Sequence, residues 1–218
     1  MSHSLHRFGK TPENLKNDFC IYARAAKGVN RGIGVGDKLR KILSIYISEK
    51  VVNFGSSHGG KSFSNGLKSE EYAKTLDESY GIIAVFDDAE SVKGVLNKAK
   101  EENTGISIVV SGLIDEVVRI AHECGLTPHT ATLSLGIFGN KTRLPESDVL
   151  EMTTMCGHSL VASELIRSVA EKVQAGKLSP EDAALIASKP CTCGIFNTTR
   201  CAEKFAETHD TETNRDNL

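Results

Sequence analysis

Four of the six cysteines in this 218-residue chain lie in its last third, where their thiols could bind a metal. Cys156 stands alone, Cys191 and Cys193 are separated by one residue, and Cys201 follows in the same segment. Cytosolic cysteine sets bind zinc or iron–sulfur clusters. Structural zinc sites prefer paired C-x₂-C motifs, whereas this set has one C-x-C pair and two single cysteines. The spacing therefore predicts a [4Fe-4S] cluster bound by these four cysteines, with zinc as the alternative metal.

The surrounding residues suggest how the thiols would be exposed and brought together. Cys156 precedes a segment with helical apolar periodicity, so we expect its thiol at a helix N-terminus, where the dipole favours thiolate. Pro190 should end another helix and open a loop that Gly194 closes around the C-x-C pair. Two antiparallel helices joined by a turn at Gly176 would then return the chain from Cys156 to this loop.

Two residues beside the cysteine pattern affect the chemistry that such a site could perform. If Cys201 is not a ligand, three cysteines would leave one iron open to bind a substrate sulfur or oxygen and to act as a Lewis acid. His158 is the candidate catalytic residue as a proton donor, and it could also be the fourth ligand or a helix cap. The expected function is a cytosolic iron–sulfur enzyme, with the reaction open between sulfur transfer, dehydration and electron transfer.

A second hypothesis comes from Gly55–Ser62, which formally matches the P-loop pattern of nucleotide triphosphatases. Gly60 would present its amide to phosphate, Lys61 would reach the terminal phosphate oxygens, and Ser62 would hold magnesium. However, Asn65-Gly66 is turn chemistry where the P-loop helix should continue. We therefore predict that this loop does not bind nucleotide. A third hypothesis is a non-catalytic protein in which zinc fixes the C-terminal helices.

Composition restricts the class of protein and its partners. Hydrophobic residues make up 39% and charged residues 25% of the chain, which suits a globular domain with a real core. The formal net charge of -2 predicts no general attraction to nucleic acid or to anionic lipid. Neither a membrane-spanning run nor a signal peptide is evident, so we expect a cytoplasmic protein. In that reducing environment, Cys20 and Cys124 are predicted to be packing residues.

The N-terminal part, residues 1–50, is predicted to be helical. Thr11-Pro12 has the form of a helix start, and the apolar positions that follow are compatible with one buried face as far as Gly28. A second helix follows a glycine-rich connector. Its apolar face is formed by Leu39, Ile42, Leu43 and Tyr46.

Residues 51–145 are predicted to form an α/β core. Strands are expected at Ile82–Phe86, Ile106–Val110 and Thr130–Leu135, with amphipathic helices between them. This alternation predicts a small parallel, three-layer βαβαβ sheet of Rossmann-like type. Lys141 and Arg143 follow the last strand, where ligands of such sheets bind, so the expected partner is a small molecule with an anionic group or a redox partner.

The C-terminal part is predicted to present the cysteines on helices. Residues 146–206 contain two clear helical stretches, the second opened by Ser179-Pro180. Residues 207–218 have almost nothing to bury and are predicted to be disordered.

Overall fold

A four-stranded antiparallel sheet forms the centre of the protein in the computed structural model, which describes residues 7–55 and 61–213. The strands are β1 Phe19–Arg24, β2 Asn53–Gly55, β3 Gly81–Phe86 and β4 Ser107–Ser111. Their order across the sheet is β2-β3-β1-β4, and every neighbouring pair is antiparallel. The two central strands, β1 and β3, are almost completely buried.

Helices cover both faces of this sheet. The first four are α1 Val35–Ser48, α2 Ser69–Lys74, α3 Ala89–Glu102 and α4 Ile114–Glu123. The next four are α5 Ser147–Thr153, α6 Ser163–Gln174, α7 Pro180–Ser188 and α8 Thr198–Thr213. Short 3₁₀ helices occur at Pro12–Leu15, Phe63–Asn65 and Leu76–Glu78.

Side-chain alternation along the strands divides the interior into two cores. On β1, Phe19, Ile21 and Ala23 face one core, together with buried side chains of α1 to α4. Cys20 and Tyr22 face the other core, which contains buried side chains of α5 to α8. Successive strand residues point to opposite faces, so this strand borders both cores. All the C-terminal cysteines lie in the second core.

The predicted parallel, Rossmann-like sheet is wrong. The strands expected at Ile82–Phe86 and Ile106–Val110 do occur, as β3 and β4, and they belong to one sheet. However, β1 lies between them and runs antiparallel to both. The chain order is that of two interlocked split β-α-β units, with α1 and α3 as the crossover helices.

The error arose at the first predicted helix. Only Pro12–Leu15 forms a helical turn there, and the following apolar run is β1 instead. A short, continuous apolar run fits a fully buried strand as well as a buried helix segment. Because β1 is central and buried on both faces, its sequence shows no period-2 alternation that would have identified it.

The third predicted strand, Thr130–Leu135, is also absent from the sheet. The chain from residue 127 to residue 146 has no regular secondary structure and is largely exposed, including Leu133, Leu135 and Phe138. The residues of the predicted strand belong to neither core, so burial does not hold this segment in the sheet. Gly136 and Gly139, which follow it, have positive φ angles of 91° and 87°.

Several other predicted elements are confirmed. The face of α1 formed by Leu39, Ile42, Leu43 and Tyr46 is buried. α7 begins at Pro180 with Ser179 as its cap, and the Ser179 side chain accepts a hydrogen bond from the backbone N–H of Asp182.

α8 continues to Thr213, into the segment for which the sequence predicts disorder. Within the described residues, no helix combines the length and apolar character that crossing a membrane requires.

Candidate functional site

The structure brings Cys156, Cys191, Cys193 and His158 together in the second core. The sulfur atoms of Cys191 and Cys193 are 3.9 Å apart, and the sulfur of Cys193 is 3.6 Å from Nδ1 of His158. Cys156 is close enough to Cys191 for a hydrogen bond between them to shift the pKa of both thiols. The three thiols are buried, whereas His158 is exposed and contacts Cys193. We call these four residues the thiol cluster.

Hydrogen bonds within the thiol cluster give its members different acidities. The hydrogen bond with Cys191 and then burial raise the pKa of Cys156 far above its usual value. The pKa of Cys191 is raised to about 12, because its hydrogen bond with Cys193 and burial outweigh the lowering by Cys156. The hydrogen bond from Cys191 lowers the pKa of Cys193 despite burial. Cys193 is therefore the member that most readily carries a negative charge.

The expected location of Cys156 at a helix start is wrong. Cys156 lies in the turn that follows α5, where its backbone N–H donates to the carbonyl of Thr153, and α6 begins only at Ser163. The helix dipole therefore does not act on this thiol, and the hydrogen bond with Cys191 and burial raise its pKa. The turn is tight, and Ser159 has a positive φ of 56°.

The loop that carries the C-x-C pair is held against β2 by its backbone. Gly194 has a φ of +80°, and a Cβ atom there would lie 2.3 Å from the carbonyl carbon of Phe54. A Cβ on Gly55 would in turn lie 2.8 Å from the carbonyl oxygen of Cys193. The buried amide of Asn53 donates to the carbonyl oxygen of Phe196 at 3.0 Å. Two glycines thus allow strand and loop to approach more closely than side chains would permit.

A buried polar network, which the sequence did not reveal, lies beside the thiol cluster. Asp18 pairs with Arg7 at 3.3 Å and with Arg200 at 2.9 Å, and it accepts a hydrogen bond from the amide of Asn197 at 3.0 Å. All four of these side chains are largely buried. The only sign of this network in the sequence is the position of Asp18 directly before the apolar run of β1. That position indicates a buried carboxylate only once β1 is known to be a central strand.

The remaining cysteines differ in their relation to the thiol cluster. Cys201 lies on α8, and burial raises its pKa while the charge of Arg200 lowers it. In the described part of the chain, the interactions that join the cluster do not extend to Cys201. Cys124 belongs to the opposite core, as expected of a packing residue. Cys20 is buried on β1, but its charge also raises the pKa of Cys193, so it lies nearer the cluster than its predicted packing role implied.

The thiol cluster is not a preformed coordination sphere. Among residues 7–55 and 61–213, no group of three or more His, Cys, Asp or Glu side chains is arranged to hold a metal ion. The thiols are instead hydrogen-bonded to each other, as protonated thiols are. All six cysteines are free of disulfide bonds.

A cavity of about 180 Å³ lies next to the thiol cluster. Cys156 contributes to its wall together with the hydroxyl-bearing residues Thr153, Thr154, Ser159 and Ser163. Pro145, Leu150 and Val161 complete the wall. A small molecule with polar and apolar groups could therefore approach the side of the cluster formed by Cys156.

The residues of the P-loop hypothesis are only partly described. Gly60 lies outside the described residues. Lys61 is exposed and precedes the buried Ser62, and the chain then forms the short 3₁₀ helix Phe63–Asn65 and turns at Gly66 with a φ of +84°. The helix that a P-loop requires after its lysine is thus replaced by a turn.

Comparisons with known proteins identify no family for this chain, since it matches no protein-family profile, no curated protein sequence and no solved structure.

Proposed function

We propose that this protein binds a single metal ion through Cys156, Cys191, Cys193 and His158. Three thiolates and one imidazole form one of the common ligand sets of zinc. The residues come from two loops that are distant in sequence but adjacent in the second core. We include in this proposal a reducing, cytoplasmic environment, because cysteines without disulfide bonds are typical of one.

The distances within the thiol cluster are the observation that carries this proposal. With zinc–sulfur bonds of about 2.3 Å and zinc–nitrogen bonds of about 2.0 Å, a tetrahedral site has sulfur–sulfur edges of about 3.8 Å and sulfur–nitrogen edges of about 3.5 Å. The corresponding distances here are 3.9 Å and 3.6 Å. Metal binding would require deprotonation of the thiols and side-chain rotations that point all four ligand atoms at one ion.

The same distances favour a single ion over the [4Fe-4S] cluster that the cysteine spacing predicts. Each cysteine of a cubane binds a different iron, so ligand sulfurs lie about 6–7 Å apart. Cys191 and Cys193 would have to separate by more than 2 Å from their 3.9 Å distance to accept one, allowing about 6 Å as the minimum. Their loop is held against β2 through Gly194, which opposes that movement.

His158 and the adjacent cavity suggest how such a centre would act. The three thiols are buried, whereas the imidazole is exposed and can leave the ion more easily than they can. A position vacated by His158 would let the ion bind a small molecule and polarise it as a Lewis acid. A small-molecule partner is therefore part of the proposal, and it would approach the ion through the cavity beside Cys156.

Anaerobic measurement of bound metal and sulfide tests this proposal. We expect about one equivalent of zinc, or of added Co²⁺ with the visible spectrum of a tetrahedral thiolate complex, and no acid-labile sulfide. Cys156→Ser, Cys191→Ser and Cys193→Ser should each lower metal binding at least tenfold. Cys124→Ser is the matched control, because it removes a buried thiol from the opposite core.

Two results would contradict the proposal. Iron and sulfide in nearly equal amounts, with broad visible absorbance, would instead support the [4Fe-4S] cluster predicted from the sequence. If neither metal nor sulfide binds under anaerobic conditions, the thiol cluster is not a metal site. Cys201→Ser distinguishes the ligand sets further, since loss of metal in that variant would place Cys201 among the ligands.

A further inference from the structure

Arg7 occupies a central position beside the thiol cluster. Its side chain is only 7% exposed, and its guanidinium donates hydrogen bonds to the carbonyl oxygens of Met155 and Ile195 and to the sulfur of Cys20. The Met155 and Cys20 bonds are 3.0 Å and 2.9 Å long. Met155 directly precedes Cys156, and Ile195 follows Cys193 by two residues. One guanidinium thus connects both cysteine loops with β1.

Arg7 shares its carboxylate with a second buried cation. Asp18 is the carboxylate paired with Arg7, and it also pairs with the equally buried Arg200, which lies closer to it. Arg200 in turn lies 3.9 Å from the buried carboxylate of Glu151. Burial lowers the pKa of Arg7, but the charges of Asp18, Cys20 and Cys191, with the hydrogen bond to Cys20, raise it above its usual value. Arg7 is therefore a permanent buried cation, and it faces sulfur atoms as well as a carboxylate.

A metal bound by the thiol cluster would place a negative charge beside Arg7. Three thiolates, a neutral imidazole and a divalent ion together carry a net charge of −1. In a buried site, such a charge is costly unless a cation lies close to it. Hydrogen-bond donors around metal-bound sulfur also orient the ligands and stabilise the thiolate form.

We infer that Arg7 is the positioning residue and counter-ion of the metal centre, holding the two cysteine loops together and balancing the negative charge of the metal–thiolate complex. This inference rests on the proposed function. Cys20 then acts as the acceptor on β1 that orients the guanidinium, and it is not itself a ligand. The forked guanidinium suits this role because it reaches several acceptors at once, whereas a lysine ammonium is a point charge.

The test measures Co²⁺ and Zn²⁺ affinity of the full chain by competition with a chromophoric chelator, with the Co²⁺ spectrum as a second readout. Arg7→Gln should weaken binding about 10- to 100-fold, the usual effect of removing a partner behind metal ligands. Arg7→Lys should recover part of this loss, because it keeps the charge. Arg119→Gln is the matched control, since Arg119 pairs with Glu116 and Glu123 on the exposed surface of α4.

Cys20→Ala tests the same inference if Arg7→Gln does not fold. It should weaken binding less than tenfold and alter the Co²⁺ spectrum only slightly, because all four ligands remain. A wild-type protein that binds neither ion overturns the proposed function and this inference together. Normal binding in wild type with unchanged affinity in Arg7→Gln overturns this inference alone. Equal weakening of metal binding in Arg7→Lys and Arg7→Gln also overturns the inference. The positive charge would then make no contribution, and loss of the structural contacts of Arg7 would explain both results.

Discussion

The close contact between β2 and the C-x-C loop makes Gly194→Ala the most informative single substitution for the architecture of the site. Gly194 has a φ of +80°, and its added Cβ would lie 2.3 Å from the carbonyl carbon of Phe54 and 2.5 Å from the backbone nitrogen of Gly55. Both neighbours are backbone atoms, which cannot rotate away as a side chain can. The loop or the strand must therefore move by about 1 Å to restore an ordinary contact.

Two terms make up the expected loss of stability. The left-handed conformation costs an alanine about 1–2 kcal/mol relative to glycine. Forcing the backbone apart in a packed interior adds about 1–3 kcal/mol. We therefore expect Gly194→Ala to lower the free energy of unfolding by about 2–5 kcal/mol, measured by urea denaturation of the metal-free protein.

Gly176→Ala is the matched control for this experiment. Gly176 also has a positive φ, of +65°, but a Cβ there would meet nothing within 4 Å. It should lose only the conformational term of about 1–2 kcal/mol and keep the metal affinity of wild type. Gly194→Ala should weaken metal binding as well, because the displaced residue adjoins Cys193. Equal losses of stability in the two variants would refute the close contact.

Three further predictions concern other parts of the molecule. Asp18→Asn should lower the free energy of unfolding by about 3–5 kcal/mol, because it leaves the buried guanidiniums of Arg7 and Arg200 without their shared carboxylate; a loss below about 1 kcal/mol would contradict this. Tyr46→Phe should leave the free energy of unfolding at neutral pH unchanged or raise it by up to about 1 kcal/mol. The reason is that the buried hydroxyl has no hydrogen-bond partner of ordinary geometry. Burial raises the pKa of Tyr46, so wild type should lose stability as pH rises above about 10, where the unfolded phenol ionises, and Tyr46→Phe should lose less. Lys61→Ala should not change magnesium-dependent ATP binding, measured by calorimetry, and tight binding that disappears in this variant would restore the P-loop hypothesis.

Local signals in the sequence were sufficient to predict the elements that have a clear helix cap, a proline at the helix start or an amphipathic period. Ser179-Pro180 correctly predicted the start of α7, and the period of Leu39, Ile42 and Tyr46 correctly predicted the buried face of α1. Such signals succeed because caps, fixed proline φ angles and amphipathic faces depend on residues only a few positions apart.

The sequence by itself also indicated which residues come together, since Cys156, Cys191 and Cys193 were expected to meet across the turn at Gly176. It could not place Cys20 or Arg7 beside them. That placement depends on residues 19–24 being a central strand, and a continuous apolar run does not distinguish a buried strand from a buried helix.

Tertiary structure alone decided the direction of the sheet and the surroundings of the thiols. Inserting β1 between β3 and β4 converts two parallel strands into parts of an antiparallel sheet, and it brings Cys20 and Arg7 to the thiol cluster. Cys156 lies in the turn before α6, which begins only at Ser163, so the hydrogen bond with Cys191 and burial, rather than a helix dipole, set its acidity. The sequence determined which chemical groups are available to the site and which helices are amphipathic, because residue types and their local periodicity can be read from it directly. Their mutual distances follow from strand pairing between segments far apart in the chain, which local patterns do not encode.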